Sequence, residues 1–487
     1  MAGRILLLPV ICALTFVAAN AALASPRQVT IDSDGILSIA ANPVGAQQRN
    51  GAGEPPAPEY RAFWVDAFHP GIKTPAQVDE LIANAQRAHA NTLIVQVRKR
   101  GDAYFNNTIE PRTMDPEVAP LPYDPLGYLI QQAHAANPPL EVHAWLNVYN
   151  VGTSSQVWQE HGAEWANRRP DGSTGAYLDP GHPEVNPYLH EIFLNVVRNY
   201  DVDGIHFDFV RYPEGGNWGY APAAVQRFND AFGRTGQPAN DDPDWKQWRR
   251  DQVTEFVRSV YTDALAEKPL LKISAALIAF GAGPITEDDW SRTAAFNEVY
   301  QDWRSWLEEG ILDLGVVMNY DREYSDLQRT WFNNWIEWEK DHQGIRSILT
   351  GVGAFLNYPE DAFAQIDRAR QPSAQGNAVL GVALYSYAST NVYSTDDFYT
   401  NPALAAGLPR QPYTFSWDPD FLVMRAREFN NIFYGSLSQP SSYPDPSLGE
   451  IPTAPPFPDL APVPVLPWKQ NFNNNRPALA IADPHVP

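Results

Sequence analysis

The stretch DGIHFDFVRYP, residues 203–213, alternates apolar and polar side chains from Ile205 to Phe209. A strand has a two-residue period. Ile205, Phe207 and Phe209 therefore share one face, and His206 and Asp208 share the other. Burying an ionised carboxylate without partners is costly. Asp208 is accommodated if its face lines an open cleft while the apolar face packs under helices. That arrangement needs further strands beside this one, each followed by a helix.

The rest of the chain supplies them. Strand-like runs recur as YRAFWVDAF (60–68), NTLIVQVR (91–98), LEVHAWLNVY (140–149), DGIHFDFV (203–210), LKISAALIAF (271–280), ILDLGVVMNY (311–320), RSILTGVGAF (346–355) and LGVALYSYA (380–388). Helix-like stretches lie between most of them. TPAQVDELIANAQRAHA (74–90) places Thr74 as N-cap and Pro75 at the first helical position, ahead of an apolar stripe. Residues 182–200, 244–267 and 297–310 read similarly. Regular alternation predicts a parallel sheet. Eight units predict closure into an α/β fold of the (β/α)8 TIM-barrel type, over residues 59–437. A doubly wound open sheet would call for a glycine-rich phosphate loop after the first strand, and DAFHPGIKTP (66–75) is not one.

In such a barrel, chemistry gathers at the C-terminal strand ends. The first strand ends in Asp66, with His69 just beyond; the second offers Gln96 and Arg98. The third sets His143, Trp145 and Asn147 on one face, and the fourth His206 and Asp208, with Arg211 following. The sixth ends in Asn319, Tyr320 and Asp321, and the eighth offers Tyr385 and Tyr387. Six strands ending this way predict a lined cleft.

The inventory narrows the chemistry. There is no Gly-x-Ser-x-Gly elbow, phosphate loop or His-Glu-x-x-His helix. The only cysteine is Cys12, near the N-terminus. Carboxylates, histidines and 15 Trp, 22 Tyr and 22 Phe remain. Aromatic faces cover the C–H faces of sugar rings, and paired carboxylates cleave glycosidic bonds. Asp208 is the expected nucleophile, held ionised and oriented by Arg211 and His206; an Asp208–Arg211 rim ion pair without chemistry is the alternative. Asp321 is the expected acid, kept protonated by neighbours such as Tyr320. Its rivals are Glu287, Asp288, Asp289 and Glu214, and a loop-capping role competes. Asp66 is placed on a substrate hydroxyl. His143, Trp145 and Asn147, with His69, His206, Arg211, Asn319, Tyr320 and Tyr385, are expected along the substrate. Arg98 is assigned to a substrate carboxylate or to an internal pair with Asp66. Two-carboxylate chemistry requires no cofactor and no metal.

The ends read differently. Arg4, the apolar ILLLPVICALTFVAA (5–19) and the small-x-small site at Ala22–Ala24 read as a signal peptide over residues 1–24. Its removal would leave no cysteine and no stable membrane span, and implies a secreted or periplasmic protein. Residues 25–58, closing in GAGEPPAPE (51–59), read as a linker. Residues 438–487, dense in proline through PSSYPDPSLGEIPTAPPFPDLAPVPVLP (440–467), read as a disordered tail. With 57 acidic against 35 basic side chains and a net charge of −22, the surface repels nucleic acid and anionic membranes. The expected partner is a glycan substrate; the sequence specifies no oligomeric state.

Four motifs in order, YRAFWVDAFHPG (60–71), NTLIVQVRKRGDAYF (91–105), EVHAWLNVY (141–149) and YDVDGIHFDFVRYP (200–213), resemble the glycosyl-hydrolase-like family 10. The resemblance covers roughly residues 59–390. It implies a secreted bacterial (β/α)8 glycosidase, and some relatives cleave peptidoglycan strands stripped of their stem peptides. It also implies a catalytic aspartate after the fourth strand, at Asp208, and, through α-galactosidase-like enzymes, an acid after the sixth, near Asp321. Two other classes stay open. In a metal-dependent hydrolase, His69, Asp66, His143, His206 and Asp208 would converge on the ion. A non-catalytic glycan-binding barrel would use the aromatic groups alone.

Overall fold

The computed structural model describes residues 56–395, 403, 406–410, 419–445 and 448–470, and two short strands further upstream. Those two, Val29–Ile31 and Leu37–Ile39, pair antiparallel in a unit of their own and interrupt the expected linker. The signal-peptide reading lies outside the described residues, as does the last part of the tail reading.

Eight parallel strands close into a barrel in the order β6-β7-β8-β1-β2-β3-β4-β5. They are β1 Tyr60–Val65, β2 Thr92–Arg98, β3 Glu141–Asn147, β4 Gly204–Asp208, β5 Lys272–Ile278, β6 Leu314–Asn319, β7 Ser347–Gly353 and β8 Gly381–Tyr385. The expected (β/α)8 TIM barrel is the fold. One principal helix follows each strand: α1 Pro75–Arg87, α2 Pro125–Ala135, α3 Val185–Asn199, α4 Pro243–Glu267, α5 Trp303–Glu309, α6 Asp326–Asp341, α7 Pro359–Arg370 and α8 Pro419–Ser436. Proline opens α1, α2, α4 and α7, where its missing N–H costs nothing. The Thr74 hydroxyl caps α1 by accepting from Gln77 N, and Asp124 and Asp242 cap α2 and α4 in the same way.

Alternation divides each strand between two environments. Phe63, Val65, Leu93, Val95, Val142, Ala144, Ile205 and Phe207 face the helices in the main core. Tyr60, Ala62, Trp64, Ile94, Trp145, Leu314, Val316, Leu349 and Ala383 fill the barrel interior. Trp64 fits there because β7 carries Gly351; a Cβ at that position would sit 2.9 Å from the indole and closer still to Val317 O.

The proline-rich segment departs from expectation. Residues 441–445 and 449–453 form an antiparallel pair whose Tyr443 is buried in the core. Residues 456–470 then cross the N-terminal end of the barrel. Leu466 joins the interior cluster, with Val463 and Trp468 packed against it. Glu59 N donates to Pro462 O, Asn91 Nδ2 to Ala461 O, and Trp468 Nε1 and Lys469 Nζ meet the two oxygens of Asp313, both at 2.7 Å. The disordered-tail reading is therefore corrected over residues 438–445 and 448–470. Apolar side chains spaced between prolines find a surface to cover in the open barrel end, and proline loses little further entropy when it docks.

Candidate active site

Asp208 ends β4 with its carboxylate inside the barrel, 7% exposed. Its Oδ1 accepts from Phe209 N at 2.7 Å, and its Oδ2 from Trp145 Nε1 at 3.1 Å. Phe209 has φ +50°, a conformation that bulky residues adopt only under constraint. This kink turns the backbone N–H onto the carboxylate. Burial pushes the Asp208 carboxyl up to about 6, against the lowering effects of the Arg211 charge and the two donors. Arg211 acts from a distance: its guanidinium pairs with Glu214 at 2.9 Å. The Asp208–Arg211 ion pair is thus not formed.

Asp321 follows β6 and is also 7% exposed. Burial pushes its carboxyl up to about 7, opposed only by Arg322. Its backbone carbonyl is gripped by Asn357 Nδ2 at 2.9 Å and Gln365 Nε2 at 3.0 Å, which fixes the loop. Three of its four rivals are engaged elsewhere, and Asp288 is exposed. Glu287 pairs with Arg304 and His342, Asp289 receives Thr286 N at the start of a short 3-10 helix that also holds Asp288, and Glu214 holds Arg211.

Aromatic rings floor the site. Tyr320 and Tyr385 stack at 5.3 Å, and both sit edge-on to Trp64 at 6.1 Å. Phe355 closes on Tyr385 at 5.6 Å. Both tyrosines feel the charge of Asp208, and Tyr385 also that of Asp66. Asp66 is 3% exposed. Burial raises its pKa, but hydrogen bonds from His69 Nδ1 at 2.8 Å and from Phe68 and His69 N bring it below the usual carboxylate range. All of these use Oδ1; Oδ2 is buried without a protein partner.

Several expected substrate contacts are instead part of the scaffold. His206 shares a face with Asp208 but lies a layer deeper and fully buried, receiving Trp64 Nε1 at 3.2 Å and bonded to Ser274 Oγ at 2.9 Å. Burial depresses its pKa well below 6.5, so it is neutral and does not hold Asp208 ionised. His143 is deeper still, level with Gly204 in the register and 3.4 Å from Glu141, which pairs with Lys272. Arg98 is neither on Asp66 nor open to substrate. It forks onto Glu110 at 2.5 and 2.7 Å and reaches Asn147 O. Asn319 turns out of the barrel and donates to Phe332 O in α6 at 3.3 Å. Asn147 stays inside, but its amide is consumed by Gln96, Trp145 and Lys99 O. Tyr387 stacks on Tyr434 at 5.2 Å, and its hydroxyl receives Asn84 Nδ2. The metal-hydrolase cluster does not assemble, since His143 and His206 lie below the mouth; among the described residues no group of three or more His, Cys, Asp or Glu side chains is arranged to hold a metal ion. Trp64, Phe355 and Ser274 were not singled out from the sequence. Trp64 was legible in principle, because it shares a strand face with Asp66.

Beside these groups lies a cavity of about 560 Å3, lined by His69, Phe355 and Tyr385 and walled by α1 and α8. Neither Asp208 nor Asp321 lines it. No helix among the described residues is long and apolar enough to cross a membrane.

Comparison with known proteins bears on what this mouth does. Residues 59–351 match the family model described as Glycosyl hydrolase-like 10. Glycosyl hydrolase YngK of Bacillus subtilis is 26% identical over 401 residues, covering 72% of this chain and 74% of that protein. Glycosyl hydrolase DigH of Escherichia coli K12 is 28% identical over 272 residues, 50% of this chain and 57% of its own length. The PgaB (BpsB) glycoside hydrolase domain of Bordetella bronchiseptica superposes with a TM-score of 0.52 at 15% identity, over 72% of this chain and 98% of that domain, and so shares the fold. A family match over most of the barrel, on a barrel with two buried carboxyls at its C-terminal mouth, leads to one conclusion: the chain belongs to the glycosyl hydrolase-like family 10 and is a glycosidase.

Proposed function

We propose that the protein hydrolyses a bacterial envelope or extracellular glycan, with peptide-free peptidoglycan strands as the leading substrate, by a two-carboxylate mechanism. Asp208 is the nucleophile or charge stabiliser and Asp321 the acid. The observation that carries this is the unequal environment of the two carboxyls. Asp208 receives two N–H donors that favour its anion, whereas burial alone acts to keep Asp321 protonated, with Arg322 opposing. Burial pushes both carboxyls up, to about 6 and about 7, and the two donors on Asp208 favour it as the anion and Asp321 as the acid. Asp321 gives its proton to the leaving oxygen as positive charge grows at the anomeric carbon facing Asp208. Tyr320 and Tyr385, half-buried over the Trp64 indole, cover the ring. The apolar leader at residues 1–24 supports export to the periplasm or beyond.

The test is release of reducing ends from peptide-free peptidoglycan strands, chitin-type oligomers and α-glucans. Wild type should cleave one of these classes in EDTA as well as without it. Asp208→Asn should bind that glycan and not cleave it. A wild type that binds glycan yet turns over none would favour the non-catalytic reading, and loss of activity in EDTA a metal-dependent one.

A further inference from the structure

We propose that the 560 Å3 cavity between α1, α8 and the loop after β8 is a second sugar subsite, one that takes an uncharged sugar unit of an oligosaccharide whose scissile bond lies at Asp208. This rests on the glycosidase reading and adds the length and charge class of its substrate. The volume lies within the roughly 300–1,000 Å3 of ligand pockets. It shares two side chains with the site. Tyr385 stacks on Tyr320 over the aromatic floor, and His69 holds the Asp66 carboxylate; both also line the cavity.

The lining matches a neutral polyol. Ser386 is only 2% exposed, and its hydroxyl makes no hydrogen bond to any described residue. Among the described residues the hydroxyl of Ser389 and the side-chain amide of Asn431 likewise have no partner, while the ring of Tyr434 supplies an apolar wall. The backbones of Ser386 and Ser389 bond each other in a tight turn, which presents both hydroxyls from one rigid loop. The charged groups on the lining, Glu80 of α1 and Arg427 of α8, pair with each other at 3.3 Å, leaving no net charge to select an ionic substituent. Uncommitted hydroxyls and amides beside aromatic faces suit the ring hydroxyls and acetamido groups of hexosamines.

The experiment measures kcat/KM on N-acetylglucosamine oligomers of two to six units and on peptide-free peptidoglycan strands. Wild type should gain at least about tenfold per added unit until the cavity is filled, then level off. Ala426→Phe, which fills the cavity from α8, should flatten that dependence by raising KM on the longer oligomers. Asn431→Ala should do so by about threefold, and it carries the test if Ala426→Phe fails to fold. A length dependence unchanged in both variants overturns the subsite while leaving the glycosidase reading intact. A wild type that cleaves none of these glycans overturns the hexosamine subsite, and one that also leaves α-glucans uncut removes the glycosidase reading with it.

Discussion

The indole N–H of Trp145 lies 3.0 Å from Asn147 Oδ1 and 3.1 Å from Asp208 Oδ2, one donor shared between a scaffold amide and the proposed nucleophile. Register makes this possible: Trp145 pairs with His206, and Asn147 with Asp208, so the indole rises from one layer below the carboxylate. A hydrogen bond to a charged group contributes about 1.5–3 kcal/mol, and sharing reduces this. Trp145→Phe keeps the ring and deletes the donor. The acidic limb of the kcat/KM profile should move up by roughly one unit, with kcat down about tenfold. An unmoved limb would mean that Trp145 only packs.

Asp208 should cost the folded protein stability. Burial raises its folded pKa to about 6, above an unfolded value of about 3.9. The native state therefore keeps a proton that the unfolded chain releases, and stability falls as pH rises between about 4 and 6, then levels. Asp208→Asn removes the charge and keeps one acceptor for Trp145 or Phe209 N–H. At pH 7 the variant should be more stable than wild type by on the order of 1–2 kcal/mol, with the gain vanishing near pH 4. Urea denaturation at both pH values reads this directly, and equal stabilities throughout would show that the carboxylate is well solvated.

Asp321 offers a leaving-group test. A general acid contributes about 10^2–10^4-fold, but an activated aryl leaving group departs without a proton. Asp321→Asn should lose that factor on natural glycans and far less on aryl glycosides, and its basic limb near pH 7 should disappear. Equal losses on both substrates would move the acid elsewhere, and Asp361, raised to about 7 by burial together with Glu360 and Glu323, would be next to examine.

These carboxyls were legible in the sequence to different depths. Apolar runs and helical stripes gave eight staves, because each run is a buried strand bounded by polar turns. The two-residue period correctly put His206 with Asp208, and His143 with Trp145 and Asn147. It cannot give height. Neighbouring strands slide along each other in a barrel, so His143 lies level with Gly204, near the end far from the mouth. At β6 the last strand residue, Asn319, faces the helices, while Tyr320 turns inward. Arg98 was misplaced because Glu110, its partner, sits in a loop with no periodicity to read.

The Arg98–Glu110 pair separates scaffold from substrate contact. Both side chains are almost fully buried, and Tyr188 Oη also donates to Glu110 at 2.9 Å. Breaking a buried pair strands the other charge and costs about 3–5 kcal/mol. Arg98→Met should lower the melting temperature markedly, while KM in the surviving folded fraction stays within about twofold of wild type. A raised KM at unchanged stability would restore Arg98 to the substrate.

The segment across the barrel's N-terminal end makes the last case. Composition alone reads Pro440–Pro467 as slack, yet Phe457 and Leu466 are 1% and 2% exposed. Trp468 Nε1 and Lys469 both bond Asp313, and the Trp468 ring lies under Arg346 at 4.9 Å. Asp313 also accepts from Tyr261 Oη and Ile273 N, so the segment completes a buried polar network rather than resting on the surface. Truncating a buried leucine costs about 2–5 kcal/mol. Leu466→Ala should therefore destabilise the whole barrel by that order in urea. Trp468→Phe should cost less, near the 1–3 kcal/mol of an acceptor left short of a donor. Both sites are at the opposite end from Asp208, so kcat at 25 °C should hold within about twofold. Leu466→Ala with wild-type stability would mean that the segment detaches in solution, as its proline content first suggests.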